Sequence, residues 1–164
     1  MKFNSLKPEL YVSNNKIKIK EYSEEYKEQI KDVIGKTLAD ISVIDRNSLP
    51  INDEDLNKIK EIYSGKGRFW IALDNNNVIG TVAIRDMGNH AAKLNRMFVL
   101  VEYHGSGVGQ KLFDHAINFA KKQGFTKIVL NTHELMHRAH GFYEKNNFIR
   151  KGKKEDKYTY ERRL

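Results

Sequence analysis

The chain has 164 residues, of which 40% are apolar and 30% charged, and its formal net charge at pH 7 is +8. This length suits one well-buried domain and is too short for two ordinary ones. No apolar run approaches the length that spans a bilayer, so we expect no membrane partner. The charge favours anionic partners, but the basic residues are scattered and no nucleic-acid-binding signature accompanies them. We therefore expect no nucleic acid partner.

The N-terminal stretch MKFNSLKPEL lacks the apolar segment and the small-residue cleavage site of a secretory signal. Cysteine is absent, which fits a reducing compartment and equally an exported protein without disulfides. We expect a cytoplasmic protein. Residues 1–15 are polar and Asn-rich and predict an N-terminal arm, whereas residues 16–164 predict a single domain.

The first half of the chain predicts one strand, two helices and a β-hairpin. Residues 16–21 alternate apolar and charged side chains, as a strand does. Apolar residues at helical spacing follow Ser23 and again follow Pro50, so we predict a helix in each segment. Residues 69–73 and 78–84 are rich in β-forming side chains, and the Asp and Asn residues between them are typical of a hairpin turn.

The second half predicts a central strand, a helix, a strand, a helix and two closing strands. The strand at residues 94–101 precedes a glycine-rich turn and an amphipathic helix that Gly124 ends. A short buried strand, residues 128–130, comes before a helix whose apolar face carries Leu135, Ala139, Phe142 and Tyr143. Residues 148–150 and 158–162 predict the last two strands. This order predicts an α/β fold of the α+β type: a mixed, mostly antiparallel central sheet with helices on both faces.

The turn before the second-half helix has three alternate glycines, Gly105, Gly107 and Gly109. They remove side chains where backbone N–H groups could converge, next to the positive dipole end of a helix, and this suits a phosphate-bearing ligand. Gln110 and Lys111 follow the last glycine, which does not match the Gly-Lys-Ser/Thr end of a nucleotide-binding P-loop. The dinucleotide fingerprint fails as well, because it needs a glycine at position 110. A flexible turn that caps a core helix is the remaining alternative.

These residues resemble the GNAT family of N-acetyltransferases, whose signature is Arg/Gln-x-x-Gly-x-Gly/Ala after a central strand. The matching segment is HGSGVG at residues 104–109. Downstream, AHGFYEKNNF at residues 139–148 resembles the family's Ala-x-x-x-Tyr-Glu-Lys-x-Gly-Phe segment, and the likeness extends from about residue 16 to the end. The sequence departs from the family pattern at four positions, where other residues are usual: Val101 (Pro), His104 (Arg or Gln), Met136 (Asn) and Asn147 (Gly).

The resemblance implies the GNAT acetyltransferase fold, with acetyl-CoA as cosubstrate between two splayed strands, residues 94–101 and 126–132. The backbone of Val99 and Val101 would pair with the pantetheine arm, and the N–H groups of the glycine turn would hold the pyrophosphate. The loss of Asn at position 136 removes one expected side-chain contact to the cofactor. The predicted cofactor-binding residues are Val99, Val101, His104, Gly105, Ser106, Gly107, Val108, Gly109 and Gln110.

Tyr143 is the candidate general acid, because the resemblance places its phenol beside the cofactor sulfur, where it would protonate the departing thiolate. A tyrosine on the apolar face of a helix is otherwise typical of a core residue. The general base is not identified. Glu102, His133 and Glu134 are candidates, each also typical of a solvated or capping residue, and a chain of water molecules can serve equally.

His133, Glu134 and His137 form the HExxH pattern of zinc hydrolases, which puts two imidazoles on one helical face. A predicted strand ends near Thr132, however, which would leave His133 at a helix entrance and out of line with His137. No HxxGxxH extension follows. We therefore prefer the acetyltransferase interpretation, without a bound metal, and keep the zinc hydrolase as an alternative.

The sequence thus predicts an N-acetyltransferase that moves an acetyl group from acetyl-CoA to a primary amine of a small molecule or a protein. A noncatalytic acyl-CoA-binding or regulatory module of the same fold is the other alternative. The sequence does not identify the acceptor, although the net charge of +8 mildly disfavours polycations. A homodimer is possible for such a fold.

Overall fold

A computed structural model describes residues 16–164, so the predicted arm at residues 1–15 lies outside the described residues. The described chain forms one seven-stranded sheet flanked by helices. Its strands are β1 (Ile17–Glu21), β2 (Arg68–Asp74), β3 (Asn77–Asp86), β4 (Ala91–Val99), β5 (Lys127–His133), β6 (Ile149–Lys154) and β7 (Lys157–Arg163). Its helices are α1 (Lys27–Asp40), α2 (Glu54–Asn57), α3 (Ile59–Ile62), α4 (Val108–Lys122) and α5 (His137–Lys145).

The strand order is β1-β2-β3-β4-β5-β7-β6, and every neighbouring pair is antiparallel except β4 with β5. The predicted mixed, mostly antiparallel sheet is therefore confirmed. The parallel pair is short, because its register begins at Ala91↔Lys127 and ends at Lys93↔Val129. Beyond these residues the two strands separate, which leaves a gap in the middle of the sheet.

A bulge in β4 lies just beyond the end of the parallel pairing. The register with β3 shifts between Thr81 and Ala83, and Arg96 adopts the left-handed conformation with a φ of 55°. The fully buried Thr81 hydroxyl donates to the Arg96 carbonyl at 2.6 Å and fixes the bulge. A bulge bends the strand that carries it, so β4 turns away from β5 beyond this point.

Each face of the sheet has its own apolar core, which confirms helices on both faces. Helix α4 covers one face, whose fully buried side chains include Trp70, Leu112, Phe113, Ile128 and Tyr160. Helices α1, α2 and α3 cover β2, β3 and the end of β4 around Phe98 on the other face, where Ile30, Ile34, Leu56, Ile59 and Ile71 are buried. No helix in the described part of the chain is both long enough and apolar enough to cross a bilayer.

Several predicted boundaries were wrong. The strand predicted to reach Val101 ends at Val99, because the carbonyls of Leu100 and Val101 accept local bonds from Tyr103 and His104 and close a 3₁₀ turn. The segment after Pro50 forms two short helices, α2 and α3, rather than one, with Lys58 non-helical between them.

The start of the last helix was also predicted too early. Helix α5 begins at His137, so Leu135, which we placed on its apolar face, lies in the preceding turn and is 42% exposed. The predicted helix after Ser23 opens instead with a 3₁₀ turn, Glu24–Tyr26, before α1 begins. Both differences are at helix ends, where local turns compete with the regular helix.

Candidate functional site

The glycine turn lies at the end of β4, beside the gap in the sheet. Gly105 and Gly107 have φ values of 78° and 89°, in the left-handed region that L-residues rarely adopt, and open space lies where either Cβ would stand. Within residues 16–164, the backbone N–H groups of Gly105, Gly107, Gly109 and Gln110 have no acceptor. Four unsatisfied donors next to open space and a helix N-terminus fit a phosphate group.

Tyr103 anchors this turn to the sheet. Its hydroxyl donates to the Asp74 carboxylate at the end of β2, at 2.6 Å. This hydrogen bond, with burial, raises the pKa of the Tyr103 phenol to about 12. The Tyr103 carbonyl accepts from the Ser106 backbone N–H at 3.2 Å and from its hydroxyl at 2.5 Å. Our sequence reasoning missed Tyr103 and Asp74, because the two residues lie 29 positions apart and neither belongs to a local motif.

His104, which stands where the family has Arg or Gln, ties the turn back to β4. Its Nε2 lies 3.0 Å from the Val99 carbonyl, so the tautomer with a proton on Nε2 donates to it. The Val101 carbonyl accepts the His104 N–H at 3.1 Å, and the Val101 side chain is 55% exposed outside the strand. Both carbonyls already have a partner within the turn. The cofactor contacts of Val99, Val101 and His104 stay predictions.

Tyr143 lies on α5 with its ring against Phe148 and Tyr160, and it is 6% exposed. This buried position is typical of a core residue, and it does not by itself distinguish a core residue from a general acid. Burial raises the pKa of its phenol above the ordinary value of 10.0. Within the described residues the hydroxyl has no hydrogen-bond partner. It is a protonated donor at neutral pH.

An amide pair joins the helix after the glycine turn to the helix that carries Tyr143. The Gln110 Nε2 donates to the Asn146 Oδ1 at 2.9 Å, and the Asn146 Nδ2 lies 3.3 Å from the Gln110 Oε1. The Asn146 amide also donates to the Phe142 carbonyl at 2.9 Å. The structure thus brings the predicted phosphate cradle and the predicted acid onto two helices that contact each other directly.

Two of the three candidate bases are engaged in other contacts. His133 accepts the Leu135 N–H at Nδ1, at 3.1 Å, while its Nε2 lies 3.1 Å from the Asp156 carboxylate. Glu134 forms an ion pair of 2.6 Å with Lys153. Glu102 is exposed in the 3₁₀ turn before the glycines. The first two residues fasten the segment before α5 onto the β6–β7 hairpin instead.

The HExxH alternative is contradicted by the secondary structure. His133 is the last residue of β5 and His137 the first of α5, so the two imidazoles do not share one helical face. Within residues 16–164, no group of three or more His, Cys, Asp or Glu side chains could hold a metal ion.

Two departures from the family pattern have local explanations. Asn147 adopts a φ of 68°, the left-handed conformation that a glycine would take, and Asn tolerates it better than most residues. Met136 lies against β5, where its sulfur accepts the buried Thr132 hydroxyl at 3.4 Å.

Comparisons with known proteins identify the family of the chain. Residues 38–148 match the model of a family described as the acetyltransferase (GNAT) family. A GNAT-family acetyltransferase from Staphylococcus aureus Mu50 superposes with a TM-score of 0.80 at 31% identity, over 90% of this chain and 99% of that one. An acetyltransferase from Streptococcus agalactiae 2603 has a TM-score of 0.81 at 30% identity, over 91% and 99%.

Curated relatives match through a shorter segment. Streptothricin acetyltransferase A of Bacillus subtilis (strain 168) is 35% identical over 98 residues, which are 60% of this chain and 55% of that protein. N-acetylaspartate synthetase of Danio rerio is 34% identical over 92 residues, 56% of this chain and 32% of that protein. The matched segment therefore spans little more than half, or less, of these relatives.

Proposed function

The chain belongs to the acetyltransferase (GNAT) family, and we propose that it transfers the acetyl group of acetyl-CoA to a primary amine. One observation carries the proposal: the glycine turn, with four unsatisfied N–H groups, lies beside the gap between β4 and β5. A structural neighbour at 21% identity, PaiA N-acetyltransferase of Thermoplasma acidophilum, has been solved in complex with coenzyme A and shares the fold, with a TM-score of 0.72.

The backbone of the turn would hold the cofactor. The N–H groups of Gly105, Gly107, Gly109 and Gln110 would bind the pyrophosphate, aided by the positive end of the α4 dipole. No side-chain charge is needed, which explains why His104 can replace the usual Arg or Gln. The exposed edge of β4 up to Val99 would pair with the pantetheine arm as an added strand would. Bound acetyl-CoA supplies an acetyl group activated as a thioester.

Tyr143 would act on the leaving sulfur. Acyl transfer to an amine leaves a thiolate that must be stabilised and protonated. The raised pKa keeps the Tyr143 phenol protonated across neutral pH, as a donor requires. Because a thiol has a pKa of about 8.5, well below that of this phenol, the hydroxyl would stabilise the thiolate chiefly as a hydrogen-bond donor.

The acceptor amine must lose a proton before or during its attack, since an ordinary amine has a pKa of about 10. With His133 and Glu134 both engaged in other contacts, we propose that water takes this proton. The names of the relatives do not agree on an acceptor: one refers to streptothricin and another to N-acetylaspartate. The chemical class of the acceptor therefore has to be inferred from the residues of the site.

Two measurements test the proposal: acetyl-CoA binding by calorimetry, and coenzyme A release across a panel of amines. Tyr143→Phe should lower kcat about 100-fold with little change in the KM for acetyl-CoA, because it keeps the ring and removes the donor. Tyr158→Phe is the matched control, since that half-buried ring stacks on the Arg150 guanidinium and its loss of a hydroxyl should leave kcat unchanged.

The outcomes separate the alternatives. Binding of acetyl-CoA without release above background for any amine would favour the noncatalytic acyl-CoA-binding module. Failure to bind acetyl-CoA would overturn the proposed function altogether. Equal kcat values for the wild type and Tyr143→Phe would contradict the proposed role of Tyr143, while the proposed acetyl transfer would still stand.

A further inference from the structure

One half of one sheet face is left uncovered. Helices α1, α2 and α3 pack over β2, β3 and the end of β4 around Phe98, but no helix among the described residues packs on the same face of β5, β7 and β6. The strand register shows which side chains share this face. Ala92 and Leu94 point into the core under α4, so Lys93 between them points to the opposite face. The row through Lys93 runs across the sheet as Arg85, Lys93, Val129, Glu161 and Ile149.

Lys93 occupies a particular place in this row. It pairs with Val129 in the last step of the β4–β5 register, so it stands where the gap in the sheet begins. Its side chain is half-buried, and within residues 16–164 it has no ion-pair partner. Burial, together with the nearby charges of Arg85 and Lys157, lowers the pKa of the Lys93 ammonium.

The neighbouring charges are predominantly positive. Arg85, Lys157 and Arg163 share this face with Lys93, and none of them has an ion-pair partner in the described chain. The carboxylate of Glu161 lies 3.9 Å from the Lys127 ammonium, which offsets its charge. Uncompensated cations around a half-buried lysine are unfavourable unless an anion joins them.

The two faces of the gap therefore differ. Helix α5 and Tyr143 belong to the core on the α4 side, so an acceptor amine approaching from the other side enters over the uncovered face. We propose that the acceptor is an amine that also carries a carboxylate or a similar anionic group, and that Lys93, with Arg85 and Lys157, binds this group. Reacting atoms in the gap would lie one or two strand residues beyond Lys93, so the anionic group would stand about 3–7 Å from the amine.

This inference rests on the proposed function, and it is tested with matched acceptors. 4-Aminobutanoate and 5-aminopentanoate, each with a single carboxylate in this range of distance from the amine, are compared with the primary amides of the same acids and with cadaverine as a cationic acceptor. The release of coenzyme A gives kcat/KM for each. We expect the carboxylate acceptors to be preferred at least tenfold over their amides, because the amides cannot form the charge-assisted hydrogen bond to Lys93.

Variants of Lys93 decide whether the residue is responsible. Lys93→Gln should raise the KM for carboxylate acceptors about tenfold, while kcat, the KM for acetyl-CoA and the KM for neutral acceptors stay unchanged. Lys93→Arg keeps the charge and should restore most of the preference. Lys18→Gln, on the edge strand β1, removes a lysine far from the gap and is the matched control.

Product binding supplies a readout that does not need turnover. Calorimetry with N-acetyl-5-aminopentanoate and its primary amide should show tighter binding of the acid, and Lys93→Gln should remove the difference. Equal use of anionic, neutral and cationic acceptors, or a Lys93→Gln variant that loses all acceptors alike, would overturn the inference while leaving the transferase intact. Failure to bind acetyl-CoA would overturn the proposed function and this inference with it.

Discussion

The two sides of the gap between β4 and β5 are built on different principles. On the side of α4, the glycine turn presents backbone N–H groups, and the side chains around it serve to hold the backbone in place: Tyr103, His104 and Ser106 all bond to main-chain or sheet groups. On the uncovered side, side chains form the surface. Within residues 16–164, Lys93 and Arg85 there have no ion-pair partner.

This difference assigns different tasks to the two sides. A backbone cradle recognises a group common to many ligands, and its geometry depends on φ values rather than on side-chain identity. A side-chain surface recognises a particular ligand and can change by single substitutions without altering the fold. The family relationship therefore supports the proposed cofactor on the side of the glycine turn, whereas acceptor preference has to be inferred from residues such as Lys93.

The largest effect is expected from substituting a glycine of the cradle. Gly105→Ala puts a Cβ into the open space beside the free N–H groups and strains a φ of 78°. We expect at least a tenfold loss of acetyl-CoA affinity, measured by calorimetry, and a loss of about 1–2 kcal/mol in the free energy of unfolding.

Gly88→Ala is the matched control for this substitution. Gly88 has a φ of 79° and equally open surroundings, but it lies in the β3–β4 connection at the other end of β4. It should lose a similar amount of stability and keep its acetyl-CoA affinity. If both variants lose affinity equally, the cradle does not depend on the conformation of its own backbone.

The next largest effect concerns the anchor of the turn. Tyr103→Phe removes the hydrogen bond to Asp74, and we expect it to lower the free energy of unfolding by about 1–2 kcal/mol and to raise the KM for acetyl-CoA several-fold. Tyr22→Phe is the control, because the Tyr22 hydroxyl donates to Glu24 at 2.8 Å at a site away from the turn. An unchanged KM in Tyr103→Phe would show that the turn holds its shape without this anchor.

The pH dependence of stability gives a second test of the Tyr103 anchor. The Tyr103 phenol has a pKa of about 12 in the folded protein and about 10 in the unfolded chain, so folding favours its protonated form. This contribution to stability is complete below pH 10 and is lost as the pH rises towards 12. Thermal unfolding between pH 9 and 12 should therefore show a steeper loss for the wild type than for Tyr103→Phe.

The smallest effect is expected at the contact between α4 and α5. Gln110→Ala, Asn146→Ala and the double variant form a cycle in which we expect a coupling of about 0.5–1.5 kcal/mol in the free energy of unfolding. Because α5 carries Tyr143, each single variant should also lower kcat a few-fold. Strict additivity in the cycle would mean that the two helices are positioned by apolar packing alone.

Much of this architecture could be predicted from the sequence where a signal is local. The hairpin of β2 and β3, the glycines before α4 and the end of α4 before Gly124 were all predicted from patterns a few residues long. The predictions failed where distant residues compete with the pattern. Arg96 carries no turn signal, yet its left-handed conformation is held by Thr81, 15 positions away.

The predicted site divides in the same way. The spacing of the glycines predicted the phosphate cradle, and the segment around Tyr143 predicted the acid. Neither pattern predicted the residues that anchor them, Asp74 and Asn146. The HExxH pattern was misleading because a five-residue match says nothing about whether a strand ends inside it. Asn147, a departure from the pattern in sequence, adopts the expected backbone conformation.

The sequence by itself determined the alternation of strands and helices, the glycine turn and the family, because each depends on short-range periodicity or on residues adjacent in the chain. Only the tertiary structure decided where β4 leaves β5, which carbonyls of the turn are already occupied, and that Lys93, Arg85 and Lys157 share one uncovered face. These features depend on strand register and on a bulge, which bring together residues far apart in the chain. A local pattern contains no information about such pairings.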